Sequence, residues 1–142
     1  YCNVLLAGIP NALIGKLQRI QNSAARLVSR TRKHDHITPV LQKLHWLPVR
    51  YRIDFKILLL VFKALHGEAP AYICNLLTTY KPSRTLRSGV QGLLVQPRAY
   101  RHTFGGYAPQ VWNTLPLNIR QSPSVVSFKM NLKTYFFCQC YN

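Results

Sequence analysis

The stretch from Val49 to His66 constrains this chain more than any other, because its apolar residues recur at helical spacing and leave almost no polar side. Ile53, Ile57, Leu60 and Ala64 fall on one face of an α-helix, and Tyr51, Phe55, Leu58, Leu59, Phe62 and Leu65 carry apolar surface most of the way round. A helix greasy on so many sides has to be enclosed by other elements, so the spacing predicts a core helix. Its one polar strip is Arg52, Lys56 and Lys63 with His66. Arg50 stands four residues before Asp54, the spacing of a modest helical ion pair, and Gly67 supplies the left-handed stop.

A second long helix is predicted from Pro10 to Lys33, where Leu13, Ile14, Leu17, Ile20, Ala24, Leu27 and Val28 share one side. Lys16, Arg19, Ser23, Arg26, Arg30 and Lys33 follow the same rhythm on the other side, with no acid between Lys16 and Lys33 to neutralise them. Such a stripe is either a phosphate-binding surface or a plain solvated face. Between the long helices, Thr38-Pro39 reads as the start of a short helix, with Thr38 suited to the N-cap and Pro39 to the first turn. His45-Trp46-Leu47-Pro48 breaks it.

Downstream, a third helix is expected over Pro70–Tyr80, another around Trp112 from Ala108 to Leu115, a turn over Pro116–Arg120, and a terminal amphipathic helix from Ser124 to Phe137. The last would face Val125, Phe128, Leu132, Tyr135 and Phe136 inward. Lys81-Pro82-Ser83-Arg84 and Arg87-Ser88-Gly89 read as a basic loop. Leu93-Leu94-Val95 and Ala99–Phe104 leave room for one small β-hairpin near residues 92–104, turning at Gln96-Pro97-Arg98. The expected class is all-α or predominantly α with about six helices: a basic helical segment at 1–80, a basic loop or hairpin at 81–107 and a C-terminal helical segment at 108–142. With 142 residues, 48% of them apolar, these suit one compact unit around one core.

Lysine and arginine total 19 against three acids, Asp35, Asp54 and Glu68, a formal charge of +16. A polyanion is the natural source of the missing negative charge, which makes nucleic acid the first partner expected and an anionic membrane face the second. A fragment separated from an acidic partner domain is the plainer reading. No apolar run approaches the roughly 18 residues of a membrane span, and the first ten residues lack the pattern of a secretory signal, so no membrane is expected and cytoplasm or nucleus is. The only methionine is Met130, which reads as a piece of a longer chain.

Catalytic patterns are scarce. Two-metal phosphoryl transfer needs several converging carboxylates, and three scattered acids do not offer them. His34-Asp35-His36 is the most metal-like cluster, but its place between a basic helix and a helix start suits a polar linker. Cys138-x-Cys140 lacks a matching ligand pair within finger-like reach, so reduced thiols are expected at Cys2, Cys74, Cys138 and Cys140. There is no glycine-rich phosphate loop, and Gly105-Gly106 reads as an isolated turn pair. No catalytic residue, metal or cofactor is expected. What remains is binding. Arg98, Tyr100, Arg101, His102, Phe104 and Tyr107 mix cations with aromatic rings that can stack on unpaired bases, unless Phe104 and Tyr107 pack in the core and the arginines are merely solvated. The nucleic-acid-binding candidates are Lys16, Arg19, Arg26, Arg30, Lys33, Arg84, Arg87, Arg98 and Arg101.

Several blocks carry a family resemblance. Leu17-Gln-Arg-Ile-Gln-Asn-Ser-Ala-Ala-Arg-Leu-Val28, His45-Trp-Leu-Pro-Val-Arg-Tyr-Arg-Ile53, Phe62-Lys-Ala-Leu-His-Gly67, Ala108-Pro109 with Trp112-Asn-Thr-Leu-Pro116, and Ser127-Phe-Lys129 with Leu132-Lys-Thr134 stand in this order. Together, over nearly the whole chain, they resemble the region after the polymerase core of LINE-type non-LTR retrotransposon reverse transcriptases, though none is a catalytic signature. The resemblance implies a non-catalytic, thumb-like or post-thumb helical segment that helps hold RNA or an RNA/DNA duplex beside the upstream polymerase domain of the same polyprotein. Between Arg101 and Ala108 the chain is shorter than the family pattern, which reads as a deletion and keeps open an inactive relic of a decayed element. Two further readings compete: a structural helical domain that only packs on a polymerase core, and an independent basic RNA-binding protein.

Overall fold

A computed structural model of the protein describes residues 3–82, 92–97 and 103–141. Among them a short 3-10 turn at Asn3–Leu6 precedes seven α-helices: α1 (Asn11–Ser29), α2 (Ile37–Lys43), α3 (Val49–Leu65), α4 (Ala71–Cys74), α5 (Phe104–Asn113), α6 (Leu117–Arg120) and α7 (Val125–Tyr141). The chain is predominantly helical, as its periodicity predicts.

α3 is the hub. Ile53, Ile57, Leu58, Val61, Phe62 and Ala64 are buried, and the helix packs against α7, α5, α1, α4 and the 3-10 turn. From α7, Phe128, Leu132 and Phe136 fill its other side at four-residue steps, part of the inward face that the sequence predicts. Phe62 stacks on Phe128 with ring centroids 4.2 Å apart, Trp112 of α5 lies 5.9 Å from Phe128, and Tyr51 tilts against Phe136 at 5.4 Å. Each such side chain contributes roughly 1.5–3 kcal/mol by leaving water, so this aromatic cluster dominates the packing. Polar bonds close it: Trp112 Nε1 donates to the Gly92 carbonyl at 2.8 Å, and the Asn113 amide pairs with both backbone groups of Leu94 at 2.9 Å. Leu94 thereby belongs to the same core cluster as α3 and α7.

Several expected boundaries move. α1 stops at Ser29 because Arg30 takes a left-handed conformation (φ 53°) and the Thr31 amide turns back to the Arg26 carbonyl, so Lys33 lies beyond the helix. α2 begins two residues early, after His36, and Thr38 is inside it rather than at the N-cap. Pro39 is tolerated there because the first helical amides have no partner within the helix in any case. The helix expected over Pro70–Tyr80 ends after one turn at Cys74, since Thr78–Tyr80 find extended partners instead. Tyr80 N donates to Leu93 O and Val95 N to Thr78 O, both at 2.8 Å, around an antiparallel bridge between Thr79 and Leu94. The hairpin partner of Leu93–Val95 is therefore residues 78–80. Phe104 opens α5 instead, with Gly105 and Gly106 in its first turn, and residues 98–102 lie outside the described residues. Residues 117–120 form a short helix rather than a bare turn.

α1 docks by a side the sequence does not advertise. Its buried residues are Gln21 and Ala25, while Leu13, Ile20, Leu27 and Val28 are exposed. Gln18 Oε1 accepts the Val49 amide and Gln21 Nε2 donates to the Leu47 carbonyl, both at 2.8 Å. These bonds fall on the segment around Pro48 where α3 begins. The first amides of any helix lack intrahelical acceptors, and Gln18 supplies one to α3 from a distant element.

Candidate nucleic-acid interface

Helical spacing sets Arg52, Lys56 and Lys63 on one strip of α3, and Lys129 and Lys133 on α7 along the edge of its buried face of Phe128, Leu132 and Phe136. Because α3 and α7 pack side by side, the two rows border a common trough. One end, about 590 Å³, is lined by Arg52, Lys56, Lys129 and Lys133 with His45, Trp46 and Phe55. The other, about 440 Å³, is lined by Lys63, Lys129 and Lys133 with Leu59, Val125, Val126 and Met130. Lys129 and Lys133 line both, so these two side chains stand where the two ends meet. No acid lines either end.

The acids lie elsewhere. Asp35 accepts the Arg32 amide through Oδ2 in the loop after α1, and Glu68 follows the end of α3. Asp54 is buried on the far side of α3, where Tyr107 Oη donates to its Oδ1 at 2.8 Å. Burial raises the Asp54 carboxyl above the usual carboxylate range, against the opposing pull of the Tyr107 hydrogen bond and the Arg50 charge. The Tyr107 phenol is pushed up to about 12, by burial first and by the Asp54 charge second. Arg50 gives its hydrogen bond to Asn11 Oδ1 at 3.4 Å, so the carboxylate partner is Tyr107 rather than the residue four positions earlier. One tyrosine-bound carboxylate ties α3 to α5. It has no nucleophile beside it among the residues lining its cavity.

The sequence candidates separate. Lys16 and Arg19 are exposed on α1, where Arg19 Nε donates to the Gly15 carbonyl at 3.4 Å. Arg26 folds back onto the loop, its guanidinium donating to the Asp35 carbonyl at 2.9 Å and the Arg32 carbonyl at 3.4 Å. Arg30 forms the helix stop and Lys33 is exposed in the loop, so the helical stripe is shorter than its rhythm suggests and one member is a structural staple. Arg84, Arg87, Arg98 and Arg101 lie outside the described residues. Phe104 and Tyr107 pack against the core, which leaves them no role as exposed stacking platforms.

Sequence reading missed the trough. Periodicity marks Arg52, Lys56 and Lys63 only as the polar strip of a core helix, and the signal for Lys129 and Lys133 is their four-residue spacing along the edge of an apolar face. Tyr141 Oη donates to the Trp46 carbonyl, and the His45 ring stacks on Phe137 with centroids 5.6 Å apart, so α7 itself positions the aromatic end. His45 takes a left-handed backbone conformation (φ 54°) at this bend. Among the described residues no group of three His, Cys, Asp or Glu side chains forms a metal-ligand cluster, and no helix is long and apolar enough to cross a membrane. Cys74 donates through Sγ to the Ala64 and Ala69 carbonyls, and burial pushes the Cys140 thiol up to about 11. Comparison with known proteins finds no matching family model, no matching curated protein and no matching solved structure.

Proposed function

We propose that this chain is a non-catalytic nucleic-acid-binding module that holds the phosphate backbone of RNA, or of an RNA/DNA duplex, in the trough between α3 and α7. One observation carries the reading: five cations from two helices line two neighbouring pockets that hold no acid. Arg52 and Lys63 are eleven residues apart on α3, which at 1.5 Å per residue spans roughly 16 Å, about five phosphates of one duplex strand. Trp46 and Phe55, half-buried at one end, offer apolar faces to an unpaired base. Interactions of this kind position a backbone without reading sequence. The resemblance of the chain to the region after the polymerase core of LINE-type reverse transcriptases supports the same reading, with an upstream polymerase domain as neighbour and cytoplasm or nucleus as the setting.

Replacing Lys56, Lys129 and Lys133 together by Gln tests it, since all three are exposed and glutamine keeps helix propensity. Labelled RNA titrated across a salt series should bind the variant more weakly, with the slope of log affinity against log salt flatter by about 0.7–0.9 for each phosphate that is no longer neutralised. The weakening should be alike for unrelated RNA sequences. Unchanged affinity and slope in a variant that remains helical would remove the trough as the interface.

A further inference from the structure

Four large apolar side chains of α1 face solvent: Leu13 (45% exposed), Ile20 (67%), Leu27 (80%) and Val28 (63%). With the half-buried Leu17 and Ala24, Leu13, Ile20 and Leu27 step along the helix by four, three, four and three residues. That rhythm is the seam by which one helix packs along another. Leu13, Ile20 and Leu27 stay exposed although α1 docks on the start of α3 through Gln18, Gln21 and Ala25 and also packs against α2.

The seam also forms one wall of a groove of about 350 Å³, to which Leu17, Ile20 and Ala24 contribute from α1 and Leu6, Trp46 and Val49 from the opposite side. Gln21 lines the same groove. Its Oε1 is the one buried side-chain oxygen among the described residues that lacks a hydrogen-bond partner. An apolar wall suits an occupant that brings apolar side chains.

Charge defines that occupant further. In the heptad register of the seam, the outer flank is Lys16 and Ser23, Arg30 follows at the helix stop, and Arg52 stands on the opposite rim of the groove. There is no acid in α1 and none lines the groove. A second copy of this chain would set Lys16 and Arg30 against their own like, which weakens pairing at such flanking positions.

We propose that the α1 groove is a docking site for an amphipathic helix of another protein or domain, one with an apolar four–three seam and acidic flanks. The site adjoins the trough between α3 and α7 through Trp46 and Arg52 but is separate from it, and it stands whether or not that trough binds RNA.

The test uses the whole chain and a synthetic helical peptide of about three heptads, with leucine along the seam and glutamate on both flanks, too acidic to pair with itself. Two control peptides accompany it. One has the same composition in scrambled order, and the other carries lysine in place of glutamate. The acidic seam peptide should bind at least about tenfold more tightly than either control. Ile20→Gln with Leu27→Gln, two exposed changes whose effect on folding is checked by circular dichroism, should weaken it about tenfold or more and leave RNA affinity unchanged. Lys16→Glu with Arg30→Glu should shift preference toward the lysine-flanked peptide. Equal binding of the ordered and scrambled peptides would overturn the proposal. So would RNA affinity that falls with Ile20→Gln and Leu27→Gln, which would make nucleic acid the occupant. A dimer in sedimentation that those two changes dissociate would make it a second copy and overturn it likewise.

Discussion

At the scale of single residues, Asp54 is held where its charge is unwelcome. Burial raises its carboxyl, so the folded protein keeps the proton more tightly than the unfolded chain does. From about pH 4, the ordinary value, up to the raised one, the native state binds more protons than the unfolded state, and stability falls as pH rises. Asp54→Asn keeps an oxygen for Tyr107 and removes the ionisation. It should therefore melt at higher temperature than the parent at pH 7 and show a flatter stability profile above pH 4. A lower melting temperature at pH 7 would mean that the attractions to Tyr107 and Arg50 outweigh desolvation. Tyr107→Phe takes away a donor to a buried carboxylate and should cost about 1.5–3 kcal/mol in urea unfolding. None of this was legible locally. Spacing within α3 pairs Asp54 with Arg50, whose charge does act on it, but the hydrogen-bond partner is 53 residues further on.

At the scale of elements, legibility followed the range of the forces. α3 could be read because apolar residues cover most of its sides, although Val61 is buried where spacing places Leu60 at the centre, and α7 could be read because Phe128, Leu132 and Phe136 recur on one face. The helix expected to Tyr80 failed because Thr78–Tyr80 are claimed by Leu93–Val95, a pairing that no local window contains. α1 was legible as a helix but not in its orientation: hydrophobicity named the wrong inward side, because two glutamines meet backbone groups at the start of α3. The trough was half legible for a related reason. Each row of cations lies within one helix, but their juxtaposition depends on how α3 and α7 pack. The end of α1 supports a further prediction. Arg30 is a side-chain-bearing residue in a left-handed stop, the position glycine fills without steric cost. Arg30→Gly should stabilise the protein by about 0.5–1 kcal/mol in chemical unfolding. A destabilised variant would show that the Arg30 side chain contributes more than its backbone conformation costs.

At the scale of the whole molecule, the chain carries a net charge of +16 on a fold whose core is built on one helix. Their mutual repulsion opposes compaction and is screened as the Debye length shrinks from about 30 Å at 0.01 M salt to about 8 Å at 0.15 M. Melting temperature should rise by a few degrees across that interval in sodium chloride, and a flat or falling trend would show that repulsion is not a significant cost. The same architecture has a consequence for synthesis. α3 is apolar on most sides, and one of those sides is closed only by Phe128, Leu132 and Phe136. On a ribosome, roughly 70 residues separate the end of α3 from the last of these rings, which at about 5–20 residues per second is an interval of roughly 4–14 s. Throughout it, the most water-averse segment of the nascent chain has its own last partner still untranslated. That interval is the time in which a chaperone, or a neighbouring nascent chain, competes for α3.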